Sequence, residues 1–262
     1  MLWGSIQHAS TLQRLKATLS PLINTEITYL QLPYNVIKEF EPSQVGTIVG
    51  TLTDAILPEL ALQKNLGLSK YVGQIGFREG YPDFIHLPTG YRLELKGLFI
   101  DNPNVRLKMP PTPREPSARL TQKVTVNNVQ PDTDGLLIIS YQLAPMQANP
   151  NLICPVIKAI EILPVVECVR ARDFRLSEAG GIWFGNFQTP TILSARGRAK
   201  MLQGIPLDQT TYGRKESEGK DYNEDTNFGK LKRIPYKPLQ EFLKSQGVSY
   251  TSIGNYPSYW KI

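Results

Sequence analysis

The chain has 262 residues, of which 41% are hydrophobic and 20% are charged, as in an ordinary globular protein with a full core. No apolar run reaches 18 residues and the first residues lack a signal-peptide pattern, so we expect no membrane span and a cytoplasmic protein. The two cysteines, Cys154 and Cys168, lie in apolar runs, which favours buried free thiols, although a disulfide stays open.

The net charge of +6 is unevenly distributed along the chain. Eight Lys and Arg balance eight Asp and Glu up to residue 100, whereas 21 basic residues face 15 acidic residues from residue 101 onward. A surface that binds a polyanion would therefore draw mainly on the C-terminal part of the chain.

The sequence lacks the residues and motifs that several classes of enzyme require. The chain has only two histidines, His8 and His86, and no Cys and His spacing typical of a zinc site. It also lacks the G-x-x-x-x-G-K-[ST] run of a P-loop and the G-x-S-x-G nucleophile elbow. We therefore expect no nucleotide cofactor.

Residues 1–70 are predicted to be mainly helical. Ser10 is a candidate cap for a first helix that Pro21 interrupts, and Pro42 begins a second helix with apolar residues at helical spacing. Pro58 is expected to kink this second helix or to begin a new one, which Gly67 then ends.

Residues 81–100 predict a β-hairpin that carries three charged residues near one another. Phe84–Leu87 is a short apolar run, Pro88-Thr89-Gly90 is typical of a turn, and Tyr91–Ile100 has alternating character. Side chains two residues apart on a strand share a face, so Glu94 and Lys96 lie together, and Asp83 stands at the start of the first strand.

A carboxylate and a lysine on an otherwise apolar strand require a partner, because buried charge is costly unless it is paired or binds a metal. Asp83 and Glu94 could together hold Mg2+, which prefers oxygen ligands, and Lys96 could hold a water molecule near a phosphorus atom. The alternative is a surface hairpin on which Glu94 and Lys96 form a solvated ion pair of little energetic value.

The sequence Pro82-Asp83, ten intervening residues and Glu94-Leu95-Lys96 resembles the PD-(D/E)xK nuclease superfamily, and within it the type II restriction endonucleases. The resemblance implies that Asp83, Glu94 and the Leu95 carbonyl ligate Mg2+ and that Lys96 assists the attacking water. Family members often carry an acidic residue on a preceding helix near the metal. Asp54 is our candidate, with Glu59 and Glu79 behind it; a solvated acid on the outer helix face is the alternative.

The middle of the chain predicts a loop and then further strands. Residues 102–116 are proline-rich, and Arg119 and Lys123 follow this loop as candidate DNA contacts. The run 136–143 is almost wholly apolar and predicts a strand buried on both faces. Residues 153–172 predict two more strands, broken by Pro164. Arg170 and Arg172 would share a face of the second strand, with Arg175 after it, and could reach bases in a groove; an edge strand protected by charge is the alternative.

The C-terminal part predicts short helices between polar segments. Residues 191–204 predict a helix capped by Ser194 and ended by Gly204, with Arg196, Arg198 and Lys200 in its first turns. Because cations there oppose the helix dipole, a phosphate at this helix end would relieve them. Residues 212–237 predict a mobile loop, residues 238–246 a short helix, and the aromatic tail is expected to dock on the body or on a second subunit.

We therefore predict one α/β endonuclease domain with a mixed central β-sheet flanked by helices, restriction-endonuclease-like, over residues 1–262. It would comprise a helical part (1–70), a catalytic sheet core (71–175) and a basic, DNA-contacting elaboration (176–262). The expected reaction is Mg2+-dependent cleavage of both strands of double-stranded DNA at a short, palindromic site by a homodimer. A structure-specific repair or junction nuclease of the same superfamily and a non-catalytic DNA-binding protein are the alternatives.

Overall fold

The structure is a computed structural model that describes residues 2–71, 81–100, 105–107, 118–120, 124, 128–178, 181–184, 189–208, 220–224 and 229–248. Its α-helices are α1 (Leu2–Leu19), α2 (Tyr34–Ile37), α3 (Pro42–Gln63), α4 (Val165–Glu178), α5 (Ala195–Leu202) and α6 (Lys237–Ser245). Its strands are β1 (Leu32–Pro33), β2 (Leu68–Lys70), β3 (Phe84–His86), β4 (Tyr91–Phe99), β5 (Asp134–Pro145), β6 (Leu152–Pro164), β7 (Gly181–Phe184), β8 (Thr189–Leu193) and β9 (Tyr222–Glu224).

Six strands form one mixed sheet in the order β1-β6-β5-β4-β3-β2. Strands β4 and β5 pair in parallel, and the other neighbouring pairs are antiparallel. Strands β7, β8 and β9 form a second, antiparallel sheet. The α/β class with a mixed sheet and helices is thus confirmed, and the sheet includes β1 and β2 from the first 70 residues.

Helices cover both faces of the six-stranded sheet. On one face, Leu93, Leu95 and Phe99 of β4 belong to a core that includes residues of α1 and α3. On the other face, Leu98 of β4 and Leu136 of β5 belong to a second core with residues of α4 and α6. Strand β5 is buried from Asp134 to Tyr141 without interruption, which confirms the strand predicted to be covered on both faces.

Helix α3 begins as the sequence predicts and passes close over β4. Glu41 and Gln44 form a reciprocal capping box, and Pro42 occupies the first turn, where its missing N–H costs nothing. The helix continues through Pro58 and ends at Gln63, earlier than Gly67. By length and composition alone α3 could cross a membrane, a property that it shares with core helices of soluble proteins.

The prediction of a strand in residues 165–172 is wrong, because these residues form α4. The buried residues Val165, Cys168, Val169 and Arg172 follow the three- and four-residue spacing of a helix, which overrides the alternation read from the arginines. Helix α1 likewise begins well before Ser10, so Ser10 does not cap it.

The C-terminal predictions are confirmed in part. Ser194 accepts a hydrogen bond from the Gly197 N–H and caps α5, and Gly204 has a left-handed φ of 67° just after that helix. Residues 191–193, predicted to be helical, belong to β8 instead. Helix α6 matches the predicted short helix, whereas the aromatic tail lies outside the described residues. Both cysteines are buried and free.

Candidate active site

The predicted hairpin is present. Phe84 of β3 pairs with Leu93 of β4, and the turn between the strands ends at Gly90, whose φ of 70° suits a residue without a Cβ atom. His86 is buried and its Nδ1 lies 2.7 Å from the Thr89 hydroxyl within this turn. His86 is thus a packing residue of the hairpin.

Asp83 lies directly before β3 and is held by two hydrogen bonds. Its Oδ2 accepts a hydrogen bond of 2.7 Å from the Leu95 N–H, and its backbone carbonyl accepts one of 3.0 Å from the Tyr71 N–H. Because Phe84 pairs with Leu93, the next position along the register brings Asp83 opposite Glu94. The hairpin therefore brings the two predicted metal ligands together from residues 11 positions apart.

The backbone of Leu95 faces the same edge of β4 as Asp83. The Arg92 N–H donates to the Thr133 carbonyl beside β5, and backbone groups along a strand alternate between its two edges. The Leu95 N–H accordingly points to the β3 edge and reaches Asp83, and the Leu95 carbonyl points to that edge as well.

Glu94 and Lys96 form a buried ion pair. The Lys96 Nζ donates to the Glu94 Oε1 over 2.5 Å, and the two side chains are only 16% and 8% exposed, respectively. This contact is therefore not the solvated surface pair that was the alternative interpretation. Both side chains lie on the face of β4 opposite to Leu93 and Leu95.

The two carboxyl groups lie in an environment that disfavours their charge. Burial raises the pKa of Asp83 above its usual range, against the opposing effect of the Lys96 ammonium. Burial also raises the pKa of Glu94, and the neighbouring Asp83 carboxylate raises it further. One lysine thus faces two carboxylates, which leaves a net negative charge when both are ionised. Perturbed carboxyl groups of this kind cluster at functional sites.

Asp54 of helix α3 acts electrostatically on these residues. A Cβ atom added to Gly97 would lie 3.9 Å from the Cα of Gly50, so α3 crosses the face of β4 that carries Leu93 and Leu95, opposite to Glu94 and Lys96. Asp54 follows Gly50 by about one helical turn and pairs with Lys70 of β2. After burial, its charge adds to the raised pKa of both Asp83 and Glu94.

The structure describes one of the other two acids considered with Asp54. Glu59 accepts a hydrogen bond from Gln63 and lines an open surface groove with Pro58 and Leu62. Glu79 lies outside the described residues.

Within the described ranges, no three His, Cys, Asp or Glu side chains are arranged to hold a metal ion. The oxygen donors of this site are the carboxylates of Asp83 and Glu94 and the backbone carbonyl of Leu95. Mg2+ is commonly bound by one or two carboxylates together with waters and substrate phosphates, so this oxygen-only set fits Mg2+ better than zinc.

Two of the predicted DNA contacts are interior residues. Arg172 is 0% exposed, and its guanidinium donates to Asp173 and to the Leu120 carbonyl; Arg175 is 2% exposed and donates to the Arg233 carbonyl. The prediction that these arginines reach bases from a strand is therefore wrong, because α4 turns both side chains into the second core.

The other candidate DNA contacts in the middle of the chain are placed as follows. Arg170 is exposed on α4 and pairs with Glu167 one turn earlier. Arg119 is half-buried and forms an isolated backbone bridge with Lys230. Lys123 lies outside the described residues.

The basic residues of α5 already face an internal anion. Asp221, whose side chain is 1% exposed, lies 2.8 Å from the Lys200 Nζ and 3.3 Å from the Arg196 Nε. The Lys200 hydrogen bond, followed by one from the Asp208 N–H, lowers the pKa of Asp221. The charge expected to attract a phosphate is thus partly neutralised within the protein. Arg196 and Arg198 remain exposed on the surface of α5.

Three residues near the site, Lys70, Tyr81 and Asp134, were missed by the sequence analysis. Lys70 pairs with Asp54, and the fully buried Asp134 contacts the partly buried Tyr81 and Arg92 beside Asp83 and Glu94. Arg92 could be placed from the sequence, because it shares the face of Glu94 at two-residue spacing. No local pattern connects Asp134 or Tyr81 to that face.

Comparisons with protein-family models, curated proteins and solved structures found no match.

Proposed function

We propose that the protein is a Mg2+-dependent endonuclease of the PD-(D/E)xK type that hydrolyses double-stranded DNA. One observation carries the proposal: Asp83 comes directly before Phe84, which pairs with Leu93, and its carboxylate accepts a hydrogen bond from the Leu95 N–H, between Glu94 and Lys96. The residues of the motif thus meet in space, and the mixed sheet flanked by helices agrees with a restriction-endonuclease-like fold.

The chemistry of the site follows from its charges. Asp83, Glu94 and the Leu95 carbonyl would hold Mg2+, which when bound neutralises charge on a phosphate and lowers the pKa of a bound water. When Asp83 and Glu94 are both ionised, these two carboxylates and the Lys96 ammonium carry a net charge of −1, so the site would attract a divalent cation and would repel DNA without one. We therefore expect DNA to bind at this site only when a metal ion is bound.

Lys96 has a role of its own in this proposal. Its ammonium has three N–H donors, and the contact with the Glu94 Oε1 uses one of them. A second donor would orient the attacking water or contact a phosphate oxygen. The ion pair also fixes the direction of the Lys96 side chain, which otherwise has many rotamers.

A second class of substrate is favoured by the burial of Arg172 and Arg175. These two arginines were assigned to base recognition, and their burial removes two of the candidate contacts on which sequence-specific reading rests. A nuclease of the same superfamily that reads DNA shape, such as a branch or a junction, needs fewer base contacts. A type II enzyme that acts as a homodimer at a palindrome remains the first candidate, and a protein that binds DNA without cleaving it is the third.

Incubation of the protein with plasmid DNA separates these candidates. We expect Mg2+ to give discrete linear fragments, and EDTA or Lys96→Ala to give uncut DNA. Cleavage of a four-way junction but not of linear DNA would favour the shape-reading nuclease. Retarded but intact plasmid in the presence of Mg2+ would contradict the enzymatic proposal.

A further inference from the structure

Asp134 is completely buried at the start of β5 and gathers hydrogen bonds from three segments of the chain. Its carboxylate accepts hydrogen bonds from the Tyr81 hydroxyl over 2.6 Å, from the Arg92 Nε over 2.6 Å and from the Gln130 N–H over 2.7 Å. The Arg92 guanidinium carbon also lies 5.5 Å from the centre of the Tyr81 ring. We call Tyr81, Arg92 and Asp134 the Asp134 cluster.

Two members of the Asp134 cluster, Tyr81 and Arg92, lie close in sequence to the two proposed metal ligands. Tyr81 precedes Asp83 by two residues, and Arg92 precedes Glu94 by two residues on the same face of β4. Asp134 pairs with Arg92 in the parallel register of β4 and β5. A single buried carboxylate thus connects the segment that carries Asp83 to the strand that carries Glu94.

A second contact of Asp83 leads back to the same cluster. The Tyr71 N–H donates to the Asp83 carbonyl, and the Tyr71 side chain, after Asp134, contributes to the raised pKa of the Arg92 guanidinium. The segments that carry Tyr71 and Tyr81 therefore both lie near Arg92. This arrangement has no counterpart at the outer end of the hairpin, where Tyr91 contacts His8 of α1 instead.

We propose that Tyr81 is a positioning residue of the active site, which sets the place of Asp83 relative to Glu94 through its hydrogen bond to Asp134. The inference rests on the proposed nuclease function. The Tyr81 hydroxyl is the side-chain group that joins the Asp83 segment to Asp134, because the Arg92 contacts belong to β4 itself. Removal of this hydroxyl leaves the Arg92–Asp134 ion pair and the packing of the Tyr81 ring in place.

Tyr81→Phe is therefore the variant that isolates the connection, and Tyr29→Phe, at a tyrosine that is 58% exposed, is its control. Cleavage of a DNA substrate is measured over a range of Mg2+ and DNA concentrations, and Mg2+ binding to the full-length protein without DNA is measured by calorimetry. We expect Tyr81→Phe to lower kcat and Mg2+ affinity each by about 10- to 100-fold. KM for DNA and the melting temperature should stay close to those of the wild type.

Asp134→Asn is a second variant, with Asp132→Asn at an exposed neighbouring position as its control. It weakens the contact with Tyr81 and should reproduce the loss of Mg2+ affinity. Wild-type cleavage and Mg2+ binding by Tyr81→Phe would overturn the inference and leave the proposed function intact. A parallel loss of DNA binding and melting temperature would also overturn it, because Tyr81 would then serve folding alone. Absence of Mg2+ binding and cleavage in the wild-type protein would overturn both.

Discussion

The Oδ2 of Asp83 lies 2.7 Å from the backbone nitrogen of Leu95, the residue between Glu94 and Lys96. This contact continues the pairing of β3 and β4 by one step in which a side chain replaces a backbone acceptor. It therefore fixes the carboxylate at the point where β3 begins. The ion pair of Glu94 and Lys96 lies on β4, across from Asp83.

The ion pair of Glu94 and Lys96 can be tested through the free energy of unfolding of its variants. Lys96→Met should destabilise the metal-free protein by about 3 kcal/mol at pH 7, because it leaves Glu94 buried without its cation. Glu94→Gln combined with Lys96→Met should recover at least half of this loss, as measured by chemical denaturation. Lys38→Met, at an exposed lysine, is the control and should cost less than about 0.5 kcal/mol. Equal losses in the single and double variants would contradict the pairing.

The pH dependence of the metal effect follows from the raised pKa values. Because burial raises the pKa of Asp83 and Glu94, the native state holds these protons more tightly than the unfolded chain does. Their stabilising contribution is present below about pH 4 and is lost as the pH rises through the raised pKa values.

We therefore expect Mg2+ to raise the melting temperature more at pH 8 than at pH 5, since the ion binds the ionised carboxylates. Thermal unfolding with Mg2+ and with EDTA at both pH values measures this difference. It should disappear in Asp83→Asn and Glu94→Gln. A Mg2+ effect of the same size at both pH values, or one that survives in these variants, would rule out binding at this pair.

Asp54 predicts an effect on metal affinity rather than on stability. Its ion pair with Lys70 is more than 40% exposed on both sides, so loss of this pair should change the free energy of unfolding by less than about 1 kcal/mol. Asp54→Asn removes a negative charge near Asp83 and should weaken Mg2+ binding by about three- to tenfold in calorimetry. Glu59→Gln on the same helix is the matched control, and an equal effect of both changes would refute a role for Asp54.

The arginines predict two distinct phenotypes. Arg198→Ala on the exposed surface of α5 should weaken DNA binding and reduce the slope of log affinity against log salt by about 1. Arg172→Met should leave this slope unchanged and destabilise the fold by about 3 kcal/mol, because the Leu120 carbonyl and Asp173 lose their buried partner. Binding curves at several salt concentrations and denaturation curves distinguish the two. A salt slope altered by Arg172→Met would contradict its structural role.

The sequence was sufficient for the hairpin because its signals are local. A turn ending in Gly90 and an alternating strand fix the register, and the register alone brings Asp83 opposite Glu94. Helix α4 was misread because Arg170 and Arg172 suggest alternation, whereas burial follows helical spacing. Tyr81 and Asp134 could not be connected from sequence, since 53 residues separate them and the parallel pairing of β4 and β5 is a tertiary event.

The location of the bound metal tests the central claim most directly. Crystals of the protein grown with Mn2+, which also prefers oxygen ligands, would show the ion by its anomalous scattering. We predict one peak at about 2.2 Å from a carboxylate oxygen of both Asp83 and Glu94, which is lost in Asp83→Asn. Saturating Mn2+ without a peak between these two carboxylates, or with the peak elsewhere in the molecule, would contradict the account.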